Sequence, residues 1–153
     1  MPDELQDLGR AVKRAQYRQH RALDSRLAGV GTTLAQWDAL RAISESPGSS
    51  ARALASATFQ SEQAFGTLAG RLVALGLVER RPGGGRRIEH HLTPAGERTL
   101  AAGHCIADEV LAACFAPLDA ADRVTLLDLL RRVTADADPA PAPHTESGAG
   151  AST

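Results

Sequence analysis

A chain of 153 residues with 43% hydrophobic and 23% charged residues and a formal net charge of −1 has the size of one domain around one core. It holds no run of about eighteen apolar residues and begins with a charged, polar stretch, which argues against a membrane span or a secretory signal and makes the cytoplasm the expected compartment. Aromatics at 3% and only two cysteines, Cys105 and Cys114, argue against a large aromatic-lined active site and a disulfide scaffold.

The charge is unevenly spread, with fourteen Lys and Arg against seven Asp and Glu over residues 10–98, between acidic ends. Such a segment suits a polyanion, because only the surface that meets phosphates must be positive. Leu5, Leu8, Val12, Ala15, Leu23 and Leu27 follow the three-then-four spacing of one helical face, so a long first helix is predicted, with Arg10, Lys13, Arg14, Arg18 and Arg21 on its other side. Thr33 with Gln36 offers a capping box for a second helix through Trp37, Leu40 and Ile43, closed by Pro47-Gly48. Ser49 or Ser50 caps a short third helix over Ala51, Leu54, Ala55 and Thr58, and after only Phe59 and Gln60, Ser61 caps a fourth. Helices joined this tightly cross steeply. This is the helix-turn-helix pattern, whose second helix is the one able to enter a DNA groove.

That fourth helix turns Phe65, Leu68, Ala69, Leu72 and Leu75 to one side and Gln63, Thr67, Gly70, Arg71 and Ala74 to the other. Gly76 stops it, and residues 77–80 and 88–93 are predicted strands around a basic, glycine-rich tip, forming a wing. Pro94, after Thr93 as cap, opens a fifth helix through Leu100, His104, Ala107, Val110, Leu111 and Cys114. Pro117 interrupts it, and Asp119 caps a sixth with Val124, Leu126, Leu127, Leu129, Leu130 and Val133. The expected fold is mainly α with a small β-hairpin wing, a winged helix-turn-helix of six helices. Helices one, five and six carry more apolar surface than a small core covers, which predicts a homodimer built through the N- and C-terminal helices. Residues 1–134 are expected to form that domain, with the DNA-binding part at about 33–96, and 135–153, rich in Ala, Pro, Gly, Ser and Thr, a disordered tail.

Amide and guanidinium groups read base edges in pairs of bonds, whereas hydroxyls, backbone amides and single cations mostly fix register on phosphates. Gln63 and Thr67 are therefore candidate base readers, Ser61 and Arg71 candidate phosphate contacts, and Arg86 and Arg87 candidate wing contacts. The bland alternative is a solvated helix face and loop; for Ser61 it is a plain cap, compatible with binding because a capped N-terminus attracts phosphate. Arg80 and Arg81, nearer the strand, rank below these. Gly66 and Gly70 cost about 1 kcal/mol each inside a helix relative to Ala, so either the backbone closely approaches DNA there or tertiary packing tolerates them. His104 is expected as a hydrogen-bonded core residue, and His90 and His91 on alternate sides of a strand. These histidines and Cys105 lack metal-ligand spacing, and no metal or cofactor is expected. Cys105 and Cys114, about 13 Å apart along one helix and on opposite sides, are not expected to bridge within a chain.

Several short stretches in order carry a family resemblance. Thr33-Leu34-Ala35-Gln36-Trp37-Asp38-Ala39-Leu40, Leu54-Ala55, the run from Arg71 through Leu77-Val78-Glu79-Arg80-Arg81-Pro82, and Leu92-Thr93-Pro94-Ala95-Gly96 together resemble the MarR family of bacterial transcription regulators over about residues 5–133. The resemblance implies no enzyme but a homodimer on a short palindromic operator in double-stranded DNA, with recognition helices in successive major grooves and wings over the flanking minor grooves. It further implies a repressor relieved by a small phenolic or anionic effector or by thiol oxidation. The helix of Trp37 borders the effector pocket in that family, which makes Tyr17, His20 and Trp37 candidate pocket residues. One departure stands out: the family's wing commonly reads Asp-x-Arg, and here the arginine falls on Arg86 while the aspartate position is Gly84. Two other readings follow, a protein-interaction module that keeps the fold without DNA binding, and a thiol-redox-responsive regulator acting through an intersubunit bond.

Overall fold

The computed structural model describes residues 2–135, so the expected tail lies, apart from Ala135, outside the described residues. The chain divides into two units, Met1–Cys114 and Phe115–Thr153. The first contains α1 (Pro2–Leu27), a 3-10 turn (Ala28–Val30), α2 (Leu34–Glu45), α3 (Ala51–Ala57), α4 (Glu62–Ala74), the strands β1 (Val78–Pro82) and β2 (Ile88–Leu92), and α5 (Pro94–Cys114); the second contains α6 (Ala120–Thr134).

Side chains in the sequence set the helix starts. Thr33 and Gln36 form the predicted capping box, each side chain bonding the other's backbone N–H, at 3.1 and 3.2 Å. A third orphan donor there, the Leu34 N–H, is taken by Asp24 of α1 at 2.9 Å. Ser50 caps α3 and Ser61 caps α4, accepting from the N–H groups of Ala53 and Ala64. The core gathers where these short helices meet: Leu40 and Ile43 of α2, Leu54 of α3, and Phe65 and Leu72 of α4 are almost wholly buried, with Leu27 closing it from α1. Leu75, predicted with the apolar face of α4, is the C-cap and is exposed, because the helix ends before that position can turn inward.

The wing is a two-stranded antiparallel hairpin pairing Val78 with Leu92, Arg80 with His90 and Pro82 with Ile88. It extends two residues further into the basic tip than the alternation predicted. The Gly83 N–H donates to the Arg87 carbonyl at 2.8 Å, and Gly85 takes a positive φ of 67° in the turn, which suits glycine. The hairpin is not free. The Gly48 N–H donates to the His90 carbonyl at 3.0 Å and the His90 N–H to the Ser49 carbonyl at 3.2 Å, so the α2–α3 turn pairs with the outer edge of β2. The buried His90 ring lies 3.0 Å by Nδ1 from the same Ser49 oxygen and edge-on to Phe65. A carbonyl only accepts, so Nδ1 carries the proton.

Two glycines on α5 allow the closest helix contacts. An ideal Cβ on Gly96 would overlap the Leu77 carbonyl, and one on Gly103 would overlap the indole of Trp37, whose Nε1–H donates to the Leu100 carbonyl at 3.3 Å. In the second unit, Asp119 caps α6 through the Asp122 N–H at 2.8 Å, and Phe115, Leu126, Leu127 and Leu130 line an open apolar groove.

Candidate nucleic-acid interface

α4 presents its outer side to solvent. Ser61, Gln63, Thr67 and Arg71 are all exposed, and Phe65, Ala69 and Leu72 fill the opposite side. The Thr67 hydroxyl donates to the Gln63 carbonyl at 3.2 Å, so what it offers outward is its methyl group and an acceptor lone pair. No Cβ contact within 4 Å awaits a side chain at Gly66, and at Gly70 the nearest atom is Arg80 Nη2 at 3.9 Å, so packing within the chain does not require either glycine. The turn into α4 holds Phe59 at a φ of 56° and 99% exposed, a left-handed backbone that costs a non-glycine residue roughly 1–2 kcal/mol.

Beside α4, the wing brings its arginines to two different surfaces. Arg81 and Glu79 pair at 3.1 Å on one side of β1, while Arg80 lies on the other and donates from Nη2 to the Gly66 carbonyl of α4 at 3.4 Å. Arg87 donates to the Gly48 carbonyl at 3.2 Å, which makes it an anchor of the wing as well as a surface cation. Among the described residues Arg86 has no hydrogen-bond or ion-pair partner, consistent with glycine at the position where an aspartate would orient it. Arg52, Arg80, Arg86 and Arg87 line one cleft of about 280 Å³ with Ser50, Glu62 and His90.

A second cleft, of about 450 Å³, opens among α1, α2 and α5. His20, Leu23, Trp37, Arg41, His104 and Asp108 are among its walls. Of the three candidate pocket residues it brings together His20 and Trp37. Tyr17 does not line it; one position along α1 it faces solvent, where Arg21 lies over its ring. His104, expected in the core, is exposed and meets the Trp37 ring edge-on at 5.3 Å, because Gly103 rather than His104 occupies the helix side pressed against α2. Cys105 is exposed and Cys114 half-buried, both as free thiols. Among the described residues no group of three His, Cys, Asp or Glu is placed to hold a metal, and no helix is long and apolar enough to cross a membrane.

The family model described as MarR family matches residues 30–88, the stretch from the 3-10 turn to the start of β2. Among solved structures, a probable transcriptional regulator from Pseudomonas aeruginosa is 30% identical, with a TM-score of 0.74 over 82% of this chain and 95% of that one. The chain belongs to the MarR family. A mutant of MarR from E. coli complexed with operator DNA is 25% identical, with a TM-score of 0.79 over 86% of this chain and 96% of that one. A MarR-family protein of Mycobacterium tuberculosis complexed with salicylic acid is 26% identical, with a TM-score of 0.69 over 82% and 95%. No curated protein matches the chain. As a MarR-family member it is a DNA-binding transcription regulator and not an enzyme. By position in the sequence Arg80 ranks below Arg87 as a surface cation; the contacts that distinguish them, to Gly66 and Gly48, join residues 14 and 39 positions apart, beyond the reach of local patterning.

Proposed function

We propose that this MarR-family regulator is a ligand-responsive repressor that binds a palindromic operator as a homodimer in the cytoplasm, with α4 in the major groove and the wing beside it. The observation that carries the reading is the row of exposed side chains Ser61, Gln63, Thr67 and Arg71 on the outer side of α4, flanked by a cleft lined by four arginines. Gln63 and Thr67 read base edges, Ser61 and Arg71 hold phosphates, and Arg86 follows the adjacent groove, with Arg87 fixing the wing as it contacts the backbone. Leu5, Leu8 and Val12 on α1, and Val124, Leu127 and Leu130 on α6, are 40% or more exposed in the single chain, and a second copy would cover such faces. The cleft walled by His20, Trp37, Arg41 and His104, with Asp38 and Asp108 also on its walls, combines a flat aromatic surface with donors and acceptors, which suits the hydroxyl and ring of a small phenolic effector, anionic or neutral. The salicylic acid complex of the M. tuberculosis relative supports that ligand class.

Titration of a fluorescent duplex from the upstream region of the protein's own gene tests this. Affinity should fall steeply and linearly in log–log form as salt rises, and salicylate should weaken it further. Binding that is absent or indifferent to salt would favour the interaction module instead. Within the same assay, Gln63→Ala should relax preference at one base pair, a change worth about 1–3 kcal/mol. Arg86→Ala should weaken binding to all sequences alike, since a cation on a glycine loop contributes mainly charge. A shifted operator preference for Arg86→Ala, or an unchanged one for Gln63→Ala, would reassign that residue.

A further inference from the structure

We propose that Arg80 is a pre-positioned phosphate contact of the interface, held in place by the recognition helix itself. Strand alternation sets its direction. Val78 is buried, and Arg80, two residues on, takes the same side of β1, while Glu79 and Arg81 take the other and neutralise each other. Across the hairpin Arg80 pairs with His90, whose ring packs against Phe65 of α4, so the register places Arg80 over that helix.

There its guanidinium donates from Nη2 to the Gly66 carbonyl at 3.4 Å, and a Cβ on Gly70, one turn further, would be 3.9 Å from the same nitrogen. The two glycines leave a bare strip of helix beside this nitrogen. One carbonyl uses one of five N–H donors, and among the described residues Arg80 has no other partner. Arg52, Arg86 and Arg87 line the same cleft, with Glu62 as its carboxylate, so the cleft keeps an excess of positive charge that matches an anionic diester. Of the wing cations, Arg86 stands on a glycine turn with no partner among the described residues, and Arg87 is engaged with the Gly48 carbonyl. Arg80 is the one already aligned with α4, so it loses least conformational freedom on contact and presents a planar fork that suits phosphate.

The inference rests on the DNA-binding reading and is tested separately from it. Duplex affinity is measured across a salt series for the wild type, Arg80→Ala and Arg80→Lys, on the upstream duplex as operator and on an unrelated duplex. Arg80→Ala should weaken both duplexes by about tenfold and lower the salt slope by about one. Arg80→Lys should restore the slope but only part of the affinity, because an ammonium replaces the charge and not the fork. Replacing operator phosphates one at a time by neutral methylphosphonates should then identify a position that matters to the wild type and not to Arg80→Ala. Arg80 is exposed, so the melting temperature should hold. An Arg80→Ala protein with wild-type affinity and slope, one that changes preference at a single base pair, or one whose weaker binding tracks a lowered melting temperature would each overturn the assignment. A wild type that binds neither duplex would overturn the DNA reading, and this one with it.

Discussion

Alanine at Gly96 is expected to destabilise the protein by about 3 kcal/mol or more, lowering the melting temperature by at least roughly 10 °C. The added methyl would overlap the Leu77 carbonyl oxygen and come within 3.0 Å of its carbon, and both belong to backbone held from three directions. The Leu77 N–H donates to the Leu72 carbonyl at 2.9 Å, and the Leu77 carbonyl accepts from the Thr93 N–H at 3.1 Å. Thr93 in turn bonds the Gly76 carbonyl at 2.6 Å and caps the Gly96 N–H at 3.1 Å. The first turn of α5, the exit of α4 and the start of the wing therefore meet at one point with no atom free to give way. Gly84→Ala is the control: nothing lies within 4 Å of its Cβ position, so its melting curve should match the wild type. Thermal unfolding followed by circular dichroism decides the matter, and equal curves for the two variants would refute the steric account.

In the homodimer proposed above, a glutamate at Leu8 or at Leu127 is expected to separate the copies and to reduce operator affinity by about 10²–10⁴-fold, the factor gained when a second half-site is engaged within one complex. In the single chain these side chains are 58% and 48% exposed, so few internal contacts are lost, while a buried charge facing its twin would be strongly unfavourable. Sedimentation of each variant gives the mass, and titration on whole and half operators gives the coupling. A variant that remains a dimer and binds normally would show that its helix face serves another purpose.

The local physics of this fold was well exposed in the sequence. Thr33 with Gln36, Ser50, Ser61 and Asp119 are caps whose side chains bond the N–H groups their spacing indicated, and the tight Phe59-Gln60 link marked the helix-turn-helix. What local spacing could not supply was phase and distance. Strand boundaries alone leave open which of Arg80 and Arg81 faces α4, and the pairing with His90 and Glu89 decides it. On α1, the turn of a single residue separates Gln16, which lines the cleft, from Tyr17, which does not. The contact demands on Gly96 and Gly103 come from Leu77 and Trp37, partners fixed by helix crossing and not by neighbouring sequence.

The seat of Trp37 against Gly103 has a mechanical corollary. With its indole pressed on bare α5 backbone and its N–H bound to Leu100, the ring has no slack in that direction, so α2 and α5 translate as one piece. A displacement of α5 at Gly103 therefore meets the Trp37 ring first, which ties it to α2 and the α3 start it precedes.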